Sequence, residues 1–312
     1  MKIMVYEARP DERADLEKQA ALHGVELSVT DAVPTLENAS LAAGCIGVSI
    51  LGQGCIDAAL LDAYHALGIR YLSTRTIGYD HIDLDHARSI GLRVCSASYA
   101  PNGVADFTVM MILMCLRHYK QALWRGQVND FSLTGLQGRE MKDLTIGIIG
   151  TGRIGAQVAR NLSGFGCRIL AYDLRRNPAV EPQVTYVDFD TLLAQSDVIT
   201  LHMPLLDSNR HIINRESIAK MRDGVVIVNT ARGSLIDPDA LIDAIESGRV
   251  GAAALDVLEN ENGLYYYNHA GDVLQNRELA LLRSFPNVIV SPHTAFYTDE
   301  DVASMVQGAF EA

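Results

Sequence analysis

Short apolar runs alternate along this chain with longer stretches whose apolar positions recur at helical spacing. Residues 2–6, 25–29, 45–50, 70–73 and 93–95 predict buried strands, and residues 10–23, 57–67 and 83–90 between them predict helices. That order predicts βαβ units, hence a parallel sheet with helices on both faces. The pattern pauses at Tyr99-Ala100-Pro101-Asn102-Gly103. Pro101 restricts Ala100 to an extended conformation, and Asn102 is expected to cap a helix running to about residue 118. Residues 126–142 are polar and glycine-rich and predict a loop crossing between domains. A second series of apolar runs follows at 144–149, 168–172, 198–201, 225–228, 252–256 and 288–290. Residues 298–309 are helical in pattern but too short to be a domain, and no internal repeat is visible.

Two series mean two sheets. The expected fold is α/β, with two doubly wound parallel-sheet domains, Rossmann-like or flavodoxin-like, and an active-site cleft between them. Residues 1–99, completed by 294–312, are expected to form the substrate domain, and residues 100–293 the dinucleotide domain. A chain of 312 residues has the length for two such domains.

At 48% hydrophobic and 21% charged, the composition is that of ordinary globular chains. A net charge of −12 makes nucleic acid and anionic membrane surfaces poor partners. It also repels a small anionic substrate, so any site for one must be locally positive, which singles out Arg232 in Asn229-Thr230-Ala231-Arg232-Gly233. Five widely spaced cysteines without a C-x-x-C predict neither disulfides nor a metal site, and fit a reducing cytoplasm. The apolar run at 109–116 is far short of the ~20 residues that span a bilayer.

Gly150-Thr151-Gly152-Arg153-Ile154-Gly155 lies between a predicted strand and a predicted helix. In that context Gly150 permits the tight turn, Gly152 the approach of a pyrophosphate, and Gly155 close packing of helix on strand. The helix N-terminus, with Arg153 and Ile154 in its first turn, offers N–H donors to phosphate. Asp173 closes the next strand, placed to bind the adenosine ribose and repel a 2′-phosphate, which predicts NADH over NADPH. Arg175 and Arg176 beside it oppose that preference.

From about residue 73 to residue 298 the sequence resembles the D-2-hydroxyacid dehydrogenase family, particularly its D-lactate dehydrogenases, including those of vancomycin-resistance operons. The resemblance rests on Thr74-Arg75-Thr76-Ile77-Gly78-Tyr79-Asp80-His81-Ile82-Asp83, Tyr99-Ala100-Pro101-Asn102, the glycine turn, Leu201-His202-Met203-Pro204, the Arg232 segment, residues 254–261 and Pro292-His293-Thr294-Ala295-Phe296-Tyr297. It implies that Arg232 binds the substrate carboxylate, for which a planar guanidinium is suited. It implies that His293 exchanges the proton with the carbonyl oxygen and that Glu261 holds the other ring nitrogen. On spacing alone Glu259 is an equal partner for His293; only the resemblance selects Glu261. By the same resemblance Asp256 lies beside the nicotinamide amide, and His202, Met203, Pro204, Asn209, Thr230 and Ala231 are further cofactor contacts. The backbone of Ile77 and Gly78 would face the substrate carboxylate. Tyr99, Phe296 and Tyr297 would close the pocket, with Leu51 facing the substrate side chain.

The implied activity is NADH-dependent reduction of a 2-oxo acid, pyruvate or a larger apolar analogue, to the D-2-hydroxy acid, with D-lactate dehydrogenase the leading reading. Two rivals are an NAD-sensing regulator on the same fold and a hydroxypyruvate or glyoxylate reductase. Phe296-Tyr297 resembles the lactate group, and Glu261 stands where formate dehydrogenases carry Gln. Finally, Phe107, Val109, Met110, Met111, Ile112, Leu113 and Met114 make one helix apolar on nearly all sides, which predicts a homodimer formed over it.

Overall fold

The computed structural model describes residues 1–311. The chain divides into two compact units, Met1–Ala100 with the segment from Phe296 onward, and Pro101–Ala295.

The first unit contains β1 (Lys2–Val5), β2 (Glu26–Val29), β3 (Gly47–Ile50), β4 (Tyr71–Thr74) and β5 (Arg93–Ser96), parallel and in the order β2-β1-β3-β4-β5. This is the flavodoxin-like doubly wound order. Alternation along β1 divides its side chains between the two faces of the sheet. Met4 joins Ile50, Leu61, Tyr64 and Leu72 in one core, while Ile3 and Val5 join Leu16 and Val306 in the other. The last helix, Asp299–Glu311, therefore completes this unit, packed on the helix Arg13–His23. Asp57 and Asp83 begin their helices from outside, accepting the N–H of Leu60 and of His86, each at 2.9 Å. The stretch predicted as one helix over 10–23 is broken instead. Pro10–Glu12 is a 3₁₀ turn, and the α-helix starts at Arg13.

The second unit contains β6 (Thr145–Ile149), β7 (Arg168–Tyr172), β8 (Thr185–Tyr186), β9 (Val198–Leu201), β10 (Val225–Asn229), β11 (Val250–Leu255) and β12 (Val288–Val290). All are parallel, in the order β12-β11-β10-β9-β6-β7-β8. The strand order reverses between β6 and β9, the switch point at which open α/β sheets bind ligands. β8 has only two residues, too few for a periodic signal, and the sequence pattern missed it.

Two expectations need correction. Asn102 does not cap its helix: Pro101 is the N-cap, with φ −75° and ψ −2°, and Asn102 is the first helical residue of Asn102–Leu116. Pro101 has no side-chain acceptor, so no side-chain hydrogen bond caps the first turn of this helix. Residues 126–142 do not cross between the units but lie wholly within the second. They follow an additional helix, Tyr119–Gln127, and lead back into β6; the chain passes between units at the Ala100-Pro101 step and again at Ala295-Phe296. Among the described residues no helix is long and apolar enough to cross a membrane.

Arg75, directly after β4, is fully buried in the first unit. Its guanidinium donates to Glu12 Oε1 at 3.0 Å, Ser49 Oγ at 3.1 Å and the Tyr6 carbonyl at 3.0 Å, which ties the ends of β1, β3 and β4 together. Removing one member of a buried ion pair strands the other charge at a cost of roughly 3–5 kcal/mol. Arg75→Met should therefore lower the unfolding free energy of the first unit, read from its urea transition, by about that amount, and so move the midpoint to lower urea. An unchanged midpoint would mean that Arg9, whose backbone N–H already donates to Glu12 Oε2 at 3.1 Å, holds the carboxylate without Arg75.

Candidate active site

The glycine turn leaves β6 at its carboxyl end. Gly150 has φ 94°, a left-handed conformation that disfavours side chains, and a Cβ there would lie 2.7 Å from the His202 backbone. A Cβ on Gly155 would lie 1.9 Å from the Gly150 carbonyl oxygen, so helix and turn meet at a separation only glycine allows. Gly152 differs: nothing stands within 4 Å of its Cβ position. It is the N-cap of the helix Arg153–Ser163, with no side chain capping the first N–H groups. Open space at the Gly152 Cβ position, at the start of a helix, fits the approach of a dinucleotide pyrophosphate. Asp173 is drawn to the same turn, accepting the Thr151 N–H at 2.6 Å and the Thr151 hydroxyl at 3.1 Å. Tyr186 and Asn177 complete the bracing, donating to Thr151 Oγ1 and the Thr151 carbonyl at 2.8 Å each. Arg176 lies over the Tyr186 ring.

His202 follows β9 and forms the floor of the turn. Its Nε2 is 2.9 Å from Thr200 Oγ1, and burial pushes its pKa down to about 3, so the ring stays neutral. Asn209 pins the following segment, accepting the Leu206 N–H and donating to the Pro204 carbonyl, both at 2.8 Å, and to Met203 Sδ at 3.3 Å.

The three residues singled out for chemistry follow three neighbouring strands. Arg232 follows β10, Glu261 lies beyond β11, and His293 lies just beyond β12. Glu261 Oε1 is 2.6 Å from His293 Nδ1, while its Oε2 accepts the Leu258 N–H at 2.8 Å. Glu259, which spacing alone left as an equal candidate, instead pairs with Arg210 and with His211 Nε2. Arg232 is half-buried, with Nη1 donating to the Ala231 carbonyl at 2.7 Å, and Asn229 braces its loop through the Arg232 carbonyl and the Ala231 N–H. A Cβ on Gly233 would lie 1.9 Å from the Leu258 carbonyl carbon, so the Arg232 loop rests directly on the segment leading to Glu261. Thr230 is buried against Thr108, hydroxyl to hydroxyl at 2.9 Å.

Asp256 is fully buried and builds the histidine turn. Its Oδ1 accepts the Ser291 hydroxyl at 2.5 Å and the Thr294 N–H at 2.9 Å, and its Oδ2 accepts the Ala295 N–H at 2.8 Å. The His293 N–H donates to the Asp256 carbonyl at 2.8 Å, and His293 itself has φ 52°. Tyr266 donates its hydroxyl to the His293 carbonyl at 3.0 Å, with its ring tilted against the imidazole. Neither Ser291 nor Tyr266 was found by sequence reasoning. Ser291 reaches a carboxylate 35 residues away and Tyr266 a backbone carbonyl, and neither contact leaves a spacing signature.

In the first unit, Leu51, Ala97 and Met305 are buried together, with Tyr99 and Phe296 packed against them. Arg9 lies over the rings of both Phe296 and Tyr297. Ile77 is exposed, and the Thr76 hydroxyl fixes the turn by donating to the Gly78 carbonyl at 2.6 Å. The structure thus groups Leu51 with Tyr99 and Phe296, joins Glu261 to His293, and rests the Arg232 loop on the segment leading to Glu261.

A dinucleotide turn at a switch point, together with an arginine and a carboxylate-held histidine beyond adjacent strands, is the equipment of a nicotinamide-dependent dehydrogenase. The chain belongs to the D-isomer specific 2-hydroxyacid dehydrogenases, whose NAD binding domain matches residues 109–295. It is an NAD-dependent oxidoreductase of that class. It is 43% identical to an aromatic 2-oxoacid reductase of Clostridium sporogenes over 311 residues, covering 98% of this chain and 93% of the relative. Its structure is similar to that of the pyruvate reductase of Chlamydomonas reinhardtii, with TM-score 0.90, 37% identity and coverage of 100% and 94% of the two chains. It is also similar to the NAD-complexed D-isomer specific 2-hydroxyacid dehydrogenase of Lactobacillus delbrueckii ssp. bulgaricus, with TM-score 0.86, 31% identity and coverage of 100% and 95%.

The neutral His202 has a consequence for stability. Its folded-state pKa of about 3 lies below the ordinary 6.5, so on acidification the unfolded chain takes up the proton first. The contribution is intact above about pH 6.5 and is lost as pH falls towards 3, at up to ~1.4 kcal/mol per pH unit. His202→Gln should flatten the acid limb of the stability profile measured by urea titration between pH 6 and 4. An equally steep limb in the variant would remove His202 as its source.

Proposed function

We propose that the enzyme reduces 2-oxo acids with apolar side chains to D-2-hydroxy acids, using NADH. The observation that carries this reading is the Glu261–His293 contact at 2.6 Å, on the segment against which the Arg232 loop rests. Glu261 keeps a proton on His293 Nδ1, so the ring presents Nε2 to the substrate. Arg232 takes the substrate carboxylate in a two-pronged contact and draws on the C2 carbonyl. His293 Nε2–H gives its proton to the carbonyl oxygen; in the reverse direction it takes the proton back. When bound, the reduced dinucleotide supplies the hydride that adds to C2.

In this reading the second unit holds the dinucleotide through Gly150, Gly152, Arg153, Ile154, Gly155 and Asp173. His202, Met203, Pro204, Asn209, Thr230, Ala231 and Asp256 shape the nicotinamide end. The substrate contacts of this reading are Ile77 and Gly78 through their backbone and Leu51, Tyr99, Phe296 and Tyr297 through their side chains. Pyruvate, giving D-lactate, is the smallest acid in the class. The apolar surroundings of Leu51 favour a larger side chain, and the relative named as an aromatic 2-oxoacid reductase supports that preference. The bracing of Asp173 against Thr151 supports NADH over NADPH, since a carboxylate there repels a 2′-phosphate.

The protein is proposed to act as a homodimer. The second unit itself covers much of the Asn102–Leu116 helix, but Met110 stays exposed on it. Trp124, Phe131 and Leu133, at 66%, 78% and 84% exposed, add apolar surface just downstream. Apolar surface of this kind calls for a cover, and a second copy is the commonest one. Five free cysteines agree with a cytoplasmic setting.

Three outcomes are expected. His293→Ala should cut phenylpyruvate and pyruvate reduction by about 10²–10⁴ while NADH still quenches protein fluorescence; near wild-type kcat would remove His293 as the donor. Asp173→Ser should narrow the ratio of kcat/KM for NADH over NADPH, and equal values for the two cofactors in the unaltered protein would contradict the role of Asp173. In sedimentation at micromolar concentration the protein should run at twice its 34.0 kDa chain mass, whereas the single-chain mass would defeat the dimer.

A further inference from the structure

The loop after β3, Leu51-Gly52-Gln53-Gly54, is held by one side chain that none of the assignments above uses. Glu7 follows β1, is 2% exposed, and sits at φ 56°, where a residue with a side chain is strained. Its Oε2 accepts the N–H groups of Leu51 and of Gly52, the latter at 2.9 Å. Its Oε1 accepts those of Gln53 at 2.9 Å and Gly54 at 3.1 Å. Four consecutive N–H groups converge on one carboxylate, the backbone concavity that elsewhere binds a free anion.

The clamp is itself fixed from behind. Arg75 donates to the Tyr6 carbonyl at 3.0 Å and to the Glu7 carbonyl at 3.3 Å, so the strained backbone of Glu7 is anchored to the buried Arg75–Glu12 pair. On the loop's other side the His81 ring lies 3.0 Å from the Cβ position of Gly52. His81 Nε2 is 3.3 Å from Thr74 Oγ1, which in turn is 2.6 Å from Thr76 Oγ1. Thr76 fixes the Gly78 carbonyl, so one network governs both the Leu51 loop and the Ile77-Gly78 turn.

We propose that Glu7 is a positioning residue for substrate selection: it fixes where Leu51 stands against Tyr99 and Phe296, and thereby which 2-oxo acid side chains are accepted. This rests on the reading that Leu51 faces the substrate side chain. A carboxamide cannot substitute, because it offers one acceptor oxygen and turns an NH₂ donor towards two of the four N–H groups. Burying a carboxylate is costly without full pairing, and full pairing here also holds the loop in a single conformation.

The test compares Glu7→Gln, Glu7→Asp and Leu51→Ala in initial rates with phenylpyruvate and pyruvate, together with NADH affinity by fluorescence. In Glu7→Gln the KM for phenylpyruvate should rise roughly 10-fold, the equivalent of about one charge-assisted hydrogen bond. The phenylpyruvate-to-pyruvate ratio of kcat/KM should change by a similar factor, with NADH affinity unchanged and kcat little affected. Equal losses for both acids, or a loss confined to kcat or NADH binding, would reduce Glu7 to a support of the fold and overturn the proposal. If Leu51→Ala shifts the ratio and Glu7→Gln does not, the proposal fails while the reading of Leu51 stands. If Leu51→Ala leaves the ratio unchanged, that reading fails and takes the proposal with it. Should Glu7→Gln not fold, Glu7→Asp carries the test, since a chain shorter by one methylene cannot reach all four N–H groups. Wild-type selectivity in Glu7→Asp would overturn the proposal.

Discussion

Asp256 holds the turn on which the histidine stands. His293 has a left-handed backbone conformation, disfavoured for any residue with a side chain, and it is kept there by a buried carboxylate that accepts from Ser291, Thr294 and Ala295. The Asp256 carbonyl also accepts the His293 N–H. With the backbone so held, Glu261 fixes the ring by meeting its Nδ1 at 2.6 Å. Remove the turn and the pair loses its geometry, whatever the side chains.

The parallel sheet explains how residues so far apart in sequence reach one place. Arg232, Glu261 and His293 come after β10, β11 and β12, which are neighbours, so their loops emerge side by side at the carboxyl edge. Gly233 then removes the last obstacle, letting the Arg232 loop rest on the Leu258 backbone. Gly155 does the same for the dinucleotide turn, where helix meets strand. Two glycines at contacts no Cβ could enter, and two buried carboxylates on backbone N–H groups (Asp256 and Glu7), hold the glycine turn and the loops that carry Arg232, His293 and Leu51.

Much of this was legible in the sequence, and the reasons differ by level. Strands such as Arg168–Tyr172 and Val198–Leu201 are apolar runs flanked by polar residues, and their bounds agree with the pattern. The glycine turn was readable because its chemistry fixes its spacing, and the structure sets Asp173 against that turn through Thr151. The two-residue β8 and the helix Tyr119–Gln127 were not. The first is too short to show a period, and the second buries none of its residues fully, so no apolar stripe marked it. The choice between Glu259 and Glu261 depended on Arg210 and His211, which lie about 50 residues upstream and draw Glu259 away. Glu7 and Asp256 escaped notice as organisers because a side chain that binds backbone N–H groups leaves no mark on the partner's sequence.

The central claim is that Glu261 acts through His293. A double-mutant cycle on kcat/KM with His293→Ala, Glu261→Gln and the combined variant measures this directly. If the carboxylate works only by holding the imidazole, the combined variant should be no slower than His293→Ala alone. Multiplying losses, with Glu261→Gln as damaging without the histidine as with it, would contradict the account.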